Sequence, residues 1–282
     1  MRTLAAAIFA TSLAVVGLVV PSPRATPAAA ASPAVNPKVV IIVGPVSGET
    51  SSYISDAADA AAEARLYTTN VITIYSPKAT WSKVKPALQG ASIVVYMGHG
   101  NGWPSKYPPF QTRTKDGLGL NASAGTSNSN VTYYGESYID DVTLAPNAVV
   151  FLGHLCYSAG NSEGGDPTPP LSVAKQRVDN MAAGWIKAGA QSVVAEPYAS
   201  GDWGGAAWYI HQLFTTHQTM DQIYKASPQY NNHVLTFASS RSSGYTVEMN
   251  TAAPFKRAFT GKPGLLTNDV VGTRTRMPMS PS

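Results

Sequence analysis

One cysteine and one histidine offer the clearest chemistry in this sequence. Cys156 closes the run AVVFLGHLC, Ala148–Cys156, and His99 follows ASIVVYMG, Ala91–Gly98. Each run is apolar and stops at a reactive side chain, the pattern of a buried strand with a functional residue at its carboxyl end. A cysteine attacks a carbonyl as its thiolate, so it needs a base or a cation beside it. An imidazole can take the thiol proton and later return a proton to a leaving amine. Gly100 has no side chain to hold a substrate away from its backbone N–H. That N–H and the N–H of Cys156 are candidate donors to an oxyanion. Together these residues describe nucleophilic attack on a carbonyl, provided that the two strand ends meet.

The elements around them follow a strand–helix alternation. Lys38–Pro45, Asn70–Tyr75, Ile93–Gly98, Ala148–Leu155 and Ser192–Glu196 read as strands. Helices are expected over Ser51–Leu66, with Ile54, Ala58, Ala61 and Ala62 facing inward, and over Trp81–Leu88. Further helices are expected over Ser172–Ala188, Gly204–Thr216 and Asp221–Ala226. In Ser172–Ala188 the inward face is Val178, Met181, Trp185 and Ala188, and Gly189 can end the helix. Such alternation predicts a parallel sheet covered on both sides, an α-β-α sandwich. Ligands then bind beyond the carboxyl ends of the strands. His99 and Cys156 lie 57 positions apart, room for one crossover or for an insertion between neighbouring strands. The insertion 101–147 is rich in Pro, Gly, Ser and Asn and keeps no helical period. Tyr133–Asp141 is its candidate ordered piece, and the sequons at Asn121 and Asn130 indicate exposed loop.

Residues 1–31 have the form of a secretory signal peptide, with Arg2 before an apolar core and small residues at Ala28–Ala31. Residues 32–37 read as a linker, 38–226 as the α/β domain and 227–282 as a C-terminal appendage. In that appendage His233–Phe237 and Tyr245–Met249 can pair across Ser239–Gly244. The chain is therefore expected to be secreted, extracellular or in the cell envelope, with no membrane association after cleavage. The formal net charge of +4 includes Arg2 and Arg24 of the leader, and no Lys/Arg cluster marks a nucleic-acid partner. A lone cysteine cannot close an internal disulfide, and an exported thiol is open to oxidation. Its presence asks for a reason: a small buried hydrophobe or a nucleophile.

The motifs YMGHG, Tyr96–Gly100, and FLGHLCYSAG, Phe151–Gly160, resemble the His-Gly and Cys blocks of caspase-like (clan CD) cysteine peptidases. That group includes caspases, legumain, gingipains, separase and bacterial CHAT-domain proteases. The piece Met181–Tyr198, MAAGWIKAGAQSVVAEPY, is similar to the helix, Ala-Gly-Ala and strand that follow the cysteine in its CHAT and separase-type members. The resemblance covers roughly Val39–Thr216. It implies a three-layer α-β-α sandwich with a mainly parallel six-stranded sheet, no cofactor, and peptide-bond hydrolysis by a Cys/His dyad. Carried over residue by residue, Cys156 is the nucleophile, His99 the general acid/base and Gly100 an oxyanion donor. Leu155 stands where the family often has Ala, and His154 has no counterpart.

Two function classes are open. One is a secreted cysteine endopeptidase acting on peptide or protein substrates. The other is a catalytically inactive binding or envelope-associated protein on the same scaffold, because fold alone does not decide function. His154, two residues before Cys156, would share its face on a strand, and with His99 would give a Cys-His-His set. No carboxylate or second ligand pair accompanies them. The expectation is therefore no metal, with His154 packed beneath the dyad and donating to a backbone carbonyl. The loops after His99 and Cys156 hold Asp116, Glu136, Glu163 and Asp166. A buried carboxylate there would select a Lys or Arg side chain before the scissile bond, with Asp116 or Asp166 as its partner. Glu163 is a further candidate substrate contact. Lys106, Arg113 and Lys115 are expected to face solvent. The sequence carries no signal for oligomeric state.

Overall fold

A computed structural model describes residues 36–125, 127–197, 205–228, 232–252 and 254–272. The expected signal peptide, and the expected linker apart from Asn36 and Pro37, lie outside them. Along the chain come β1 (Val39–Val43), α1 (Thr50–Arg65), β2 (Val71–Tyr75), α2 (Trp81–Leu88) and β3 (Ile93–Met97). The hairpin β4 (Leu118–Asn121) and β5 (Val131–Tyr134) follows, then α3 (Glu136–Ile139) and β6 (Ala148–Gly153). After them come α4 (Leu171–Lys187), β7 (Ala190–Glu196), α5 (Gly205–Thr215) and α6 (Met220–Ala226). β8 (Val234–Ala238), β9 (Thr246–Asn250), β10 (Ala258–Gly261) and α7 (Thr267–Val271) complete it.

β1, β3 and β6 are buried at every position because both faces of the sheet are covered. Their side chains alternate between two cores. Val40, Ile42, Val94, Tyr96, Val150 and Leu152 meet Val84 and Leu88 of α2 and Val178, Met181 and Trp185 of α4. Val39, Ile41, Val43, Ile93, Val95 and Met97 meet the alanines of α1 and Ile210, Leu213 and Phe214 of α5. The strand period of two thus turns one apolar run into two packed layers.

The sheet corrects the expectation of six mainly parallel strands. It has eight, in the order β2-β1-β3-β6-β7-β10-β9-β8. The first five run parallel, and β10, β9 and β8 join antiparallel. The extra strands come from residues after Ser227. There β8 and β9 pair as expected, and β10 (AFTG), too short to show a period, joins them to β7. A second correction concerns α1. Its buried stripe is Ala57, Ala60, Ala61 and Ala64, while Ala58 and Ala62 are exposed. In an alanine-rich helix every face has the same side chain, so periodicity cannot fix the rotation. The α4 face, marked by large side chains, is buried as expected. Among the described residues no helix is long and apolar enough to cross a membrane.

The insertion 101–147 is ordered around the β4–β5 hairpin. Gly117 packs so closely that a Cβ would lie 1.9 Å from the Tyr134 carbonyl oxygen. Asn121, expected to be exposed, is fully buried, with its amide bonded to the Ser127 carbonyl and its oxygen accepting from the Ala79 N–H. Asn130 is exposed.

Candidate active site

β3 and β6 are parallel neighbours, with Met97 opposite Gly153 at their carboxyl ends. His99 and Cys156 therefore leave the sheet at the same edge. Both line one cleft of about 530 Å3, together with Gly100, Asn101, Tyr107, Tyr133, Glu163 and Gly164. Both are half-buried, which leaves each reachable from the cleft.

The turn that carries His99 is built on Tyr96. Its fully buried hydroxyl donates to the Gly119 carbonyl at 2.7 Å, accepts from the Gly119 N–H at 3.0 Å, and lies 3.0 Å from the His99 carbonyl oxygen. The Gly119 N–H also reaches the His99 carbonyl at 3.0 Å. Gly44 and Gly98 make room for that hydroxyl: a Cβ at either would lie 2.9 Å or 2.5 Å from it. Gly98 also has φ +154. At Gly100 a Cβ would fall 2.2 Å from the Cys156 carbonyl oxygen, so close approach of the two strand ends demands glycine there. The His-Gly pair thus has a packing reason independent of any oxyanion role.

Cys156 sits in a tight turn bracketed by His154 at φ +57 and Tyr157 at φ +70. Non-glycine residues rarely adopt this region, and such strain collects at functional sites. The Ser158 hydroxyl donates to the Leu155 carbonyl at 2.7 Å, and the His154 N–H donates to the Glu196 carbonyl of β7 at 3.2 Å. Arg177 of α4 lies buried beneath the loops. It donates to the Pro104 carbonyl (2.6 Å), in the loop after His99, and to the Asn161 carbonyl (2.8 Å) and Ser162 hydroxyl (3.0 Å), in the loop after Cys156. Its guanidinium stacks on the Tyr157 ring at 4.7 Å. One side chain therefore ties both walls of the cleft to α4.

Burial, followed by the charge of Glu163, pushes the Cys156 thiol above its ordinary range; hydrogen bonds from the backbone N–H groups of Gly164 and of Cys156 itself oppose this. Burial lowers His99, and the Glu163 charge opposes that shift. Both directions favour the neutral forms, a thiol and an imidazole lining one cleft, over a preformed ion pair.

The expected acids separate on inspection. Glu163 lines the cleft, but its oxygens already accept from the Tyr157 hydroxyl (2.8 Å), the Tyr107 hydroxyl (3.1 Å) and Lys106 (2.9 Å). Burial alone would raise it, and these bonds, led by that of Lys106, hold its carboxyl below the usual range. Asp166 pairs with Lys106 at 2.8 Å and lines a neighbouring concavity. Asp116 is fully buried away from the cleft lining, with one oxygen accepting from the Trp103 N–H at 2.8 Å. Glu136 is bonded to Arg241. Lys115, expected to face solvent, is also buried, donating to Asn101 and Ser105. Lys106 is exposed but paired, and Arg113 donates to the Tyr138 hydroxyl at 2.6 Å.

His154 corrects the alternation argument. β6 ends at Gly153, and the positive φ of His154 turns its ring onto α1, stacked on Tyr53 at 4.2 Å with Nε2 3.4 Å from Asp56. It is directed at a ring and a carboxylate, not at a backbone carbonyl beneath the dyad. Among the described residues no group of three His, Cys, Asp or Glu could hold a metal ion.

Sequence pattern assigns no role at the site to Arg177, Tyr96, Tyr107 or Tyr133. Arg177 had a signal, since it stands one turn before Met181 on a face otherwise apolar. Tyr96 had a weaker one, a polar-tipped side chain inside a fully buried run.

No protein-family model matches the chain, and no curated protein matches it. Among solved structures it is similar to the X-ray structure of a secreted C11 cysteine protease from Bacteroides thetaiotaomicron in complex with an irreversible peptide inhibitor. That match has a TM-score of 0.37 and 11% identity over 76% of this chain and 65% of the other. A second structure, of a secreted C11 cysteine protease from the same organism called iotapain, matches with a TM-score of 0.34 and 12% identity. It covers 77% of this chain and 66% of that one, so the chain spans just under two thirds of the length of both.

Proposed function

We propose that this chain is a secreted cysteine endopeptidase of the caspase-like kind, with Cys156 as nucleophile and His99 as general acid/base. The observation that carries this reading is the placement of His99 and Cys156 at the ends of neighbouring parallel strands, lining one cleft. The thiol transfers its proton to His99 as sulfur bonds to the peptide carbonyl carbon. The carbonyl electron pair moves to oxygen, with the backbone N–H groups of Gly100 and Cys156 as the proposed donors. Collapse of this adduct breaks the C–N bond, and the His99 proton leaves on the amine. Water, deprotonated by His99, then hydrolyses the thioester and returns the thiol. Among the described residues the acid lining the cleft, Glu163, is already paired with Lys106.

The non-catalytic reading draws on the burial of Cys156, which raises its thiol above the ordinary range. A peptidyl acyloxymethyl ketone, which alkylates a thiol only after attack on its carbonyl, separates the two. Mass spectrometry is expected to place the label on Cys156 in the native protein and to lose it in His99→Ala. Labelling that is equal in both proteins, or absent from both, favours the binding protein.

A further inference from the structure

The charges around the cleft bear on which substrate side chain it admits. Glu163 is the acidic residue of the cleft lining, and Asp166 lies three residues further along the same loop. Lys106, from the loop after His99, reaches both, with Nζ 2.9 Å from Glu163 and 2.8 Å from Asp166. The bridge is held on both sides. Glu163 also accepts from the hydroxyls of Tyr107 and Tyr157, and the Lys106 ammonium lies 5.2 Å from the Tyr107 ring centre. Two more cations stand close by. Lys115 lies 5.6 Å from the Tyr107 ring centre, and Arg177 stacks on Tyr157.

We infer that Lys106 is the specificity-determining residue of the cleft: it occupies the carboxylates that would otherwise draw a Lys or Arg side chain, so an uncharged residue is accepted before the scissile bond. The inference rests on the peptidase reading and reverses the preference for basic residues expected from sequence. A substrate ammonium or guanidinium would have to displace an intramolecular cation from both carboxylates at once, against a tethered competitor. It would also approach Lys115 and Arg177. An uncharged side chain meets the rings of Tyr107 and Tyr133 with no ion pair to break. Without Lys106, Glu163 and Asp166 would offer charge-assisted hydrogen bonds to a basic side chain.

The test compares native protein, Lys106→Met and Lys106→Arg. Lys106 is exposed, so these variants leave the core intact. Fluorogenic peptides ending in Arg, Lys, Leu or Tyr are assayed. In parallel, alkylation of Cys156 by iodoacetamide is followed with and without agmatine, a small guanidinium amine. In native protein, kcat/KM for the Leu or Tyr peptide is expected to exceed that for Arg. In Lys106→Met the Arg-to-Leu ratio is expected to rise at least about tenfold, the worth of one charge-assisted hydrogen bond, and Lys106→Arg is expected to keep the native ratio. Agmatine is expected to slow alkylation of Lys106→Met only. Native protein cutting best after Arg, or an unchanged ratio in Lys106→Met, overturns the inference. If no protein cleaves any peptide, the peptidase reading fails by itself and agmatine decides: protection confined to Lys106→Met upholds the role of Lys106 at the cleft, and equal protection overturns it.

Discussion

Asp116→Asn tests whether the loop after His99 is held by a carboxyl group kept out of water. Asp116 is fully buried; one oxygen accepts from the Trp103 N–H and the other has no partner. Its own N–H donates to the Asn101 carbonyl at 2.8 Å, so the residue joins the start of this loop to the strand β4. Burial raises its carboxyl to about 7, the Trp103 hydrogen bond opposes this, and the Glu136 charge adds to it. The folded protein therefore binds a proton that the unfolded chain, with its carboxyl near 3.8, has released. The sign follows: this group favours folding at acidic pH, and its contribution is lost as pH rises through about 7. At 1.36 kcal/mol per unit, native protein should lose about 3 kcal/mol of stability between about pH 5 and about pH 8 relative to Asp116→Asn. Asparagine keeps the acceptor for Trp103 and tolerates the positive φ of 57 at this position. Its amide nitrogen takes the place of an oxygen that has no partner, so absolute stability mixes two effects, whereas the pH slope isolates the charge. Urea midpoints at the two pH values, measured on both proteins, give the slope. Equal slopes would refute the claim that a buried, protonatable carboxyl anchors this loop.

Two further substitutions probe how the reactive residues are positioned. Tyr96→Phe removes the hydroxyl beneath His99 and takes its donor from the Gly119 carbonyl, while the Gly119 N–H keeps the His99 carbonyl. It is expected to cost about 1–3 kcal/mol, and to lower kcat with little change in KM; a fall in KM-dependent binding alone would contradict a positioning role. Arg177→Met strips the tie between the two loops and is expected to destabilise by about 1.5–3 kcal/mol, the worth of hydrogen bonds from a charged donor to neutral acceptors. Limited proteolysis should then cut near Pro104 or Ser162 first, and an unchanged pattern would show that the loops hold without it.

The sequence was most informative where side chains differ strongly in size and polarity. The five parallel strands, the face of α4 and the placement of His99 and Cys156 at strand ends all follow from apolar periodicity in runs such as KVVIIV and SIVVYM. Legibility failed where that contrast vanished. The alanines of α1 point to a rotation with Ala58 and Ala62 inward that the structure corrects, and β10 and the β4–β5 hairpin are only four residues per strand, too short for a period. The direction of His154 was lost because one residue at positive φ ends the strand alternation, and backbone dihedrals are not written in residue type. The pairing of the acids is hidden for a different reason. The availability of Glu163, Asp166 and Asp116 depends on Lys106, Tyr107 and Trp103, which come from the loop after His99, and on Tyr157. Such cross-loop pairings are tertiary facts. The glycines at 44, 98 and 100 acquire their meaning only with the Tyr96 hydroxyl and the Cys156 carbonyl beside them.

The central claim is that Cys156 and His99 act as one catalytic unit. Its most direct measurement is the cleavage rate of a Leu-containing fluorogenic peptide by native protein, Cys156→Ala, His99→Ala and the double variant, each shown to be folded by circular dichroism. Residues that act as a unit are non-additive, so each single variant should lose essentially all activity and the double variant should be no worse than either. Cleavage that survives in Cys156→Ala would contradict the account.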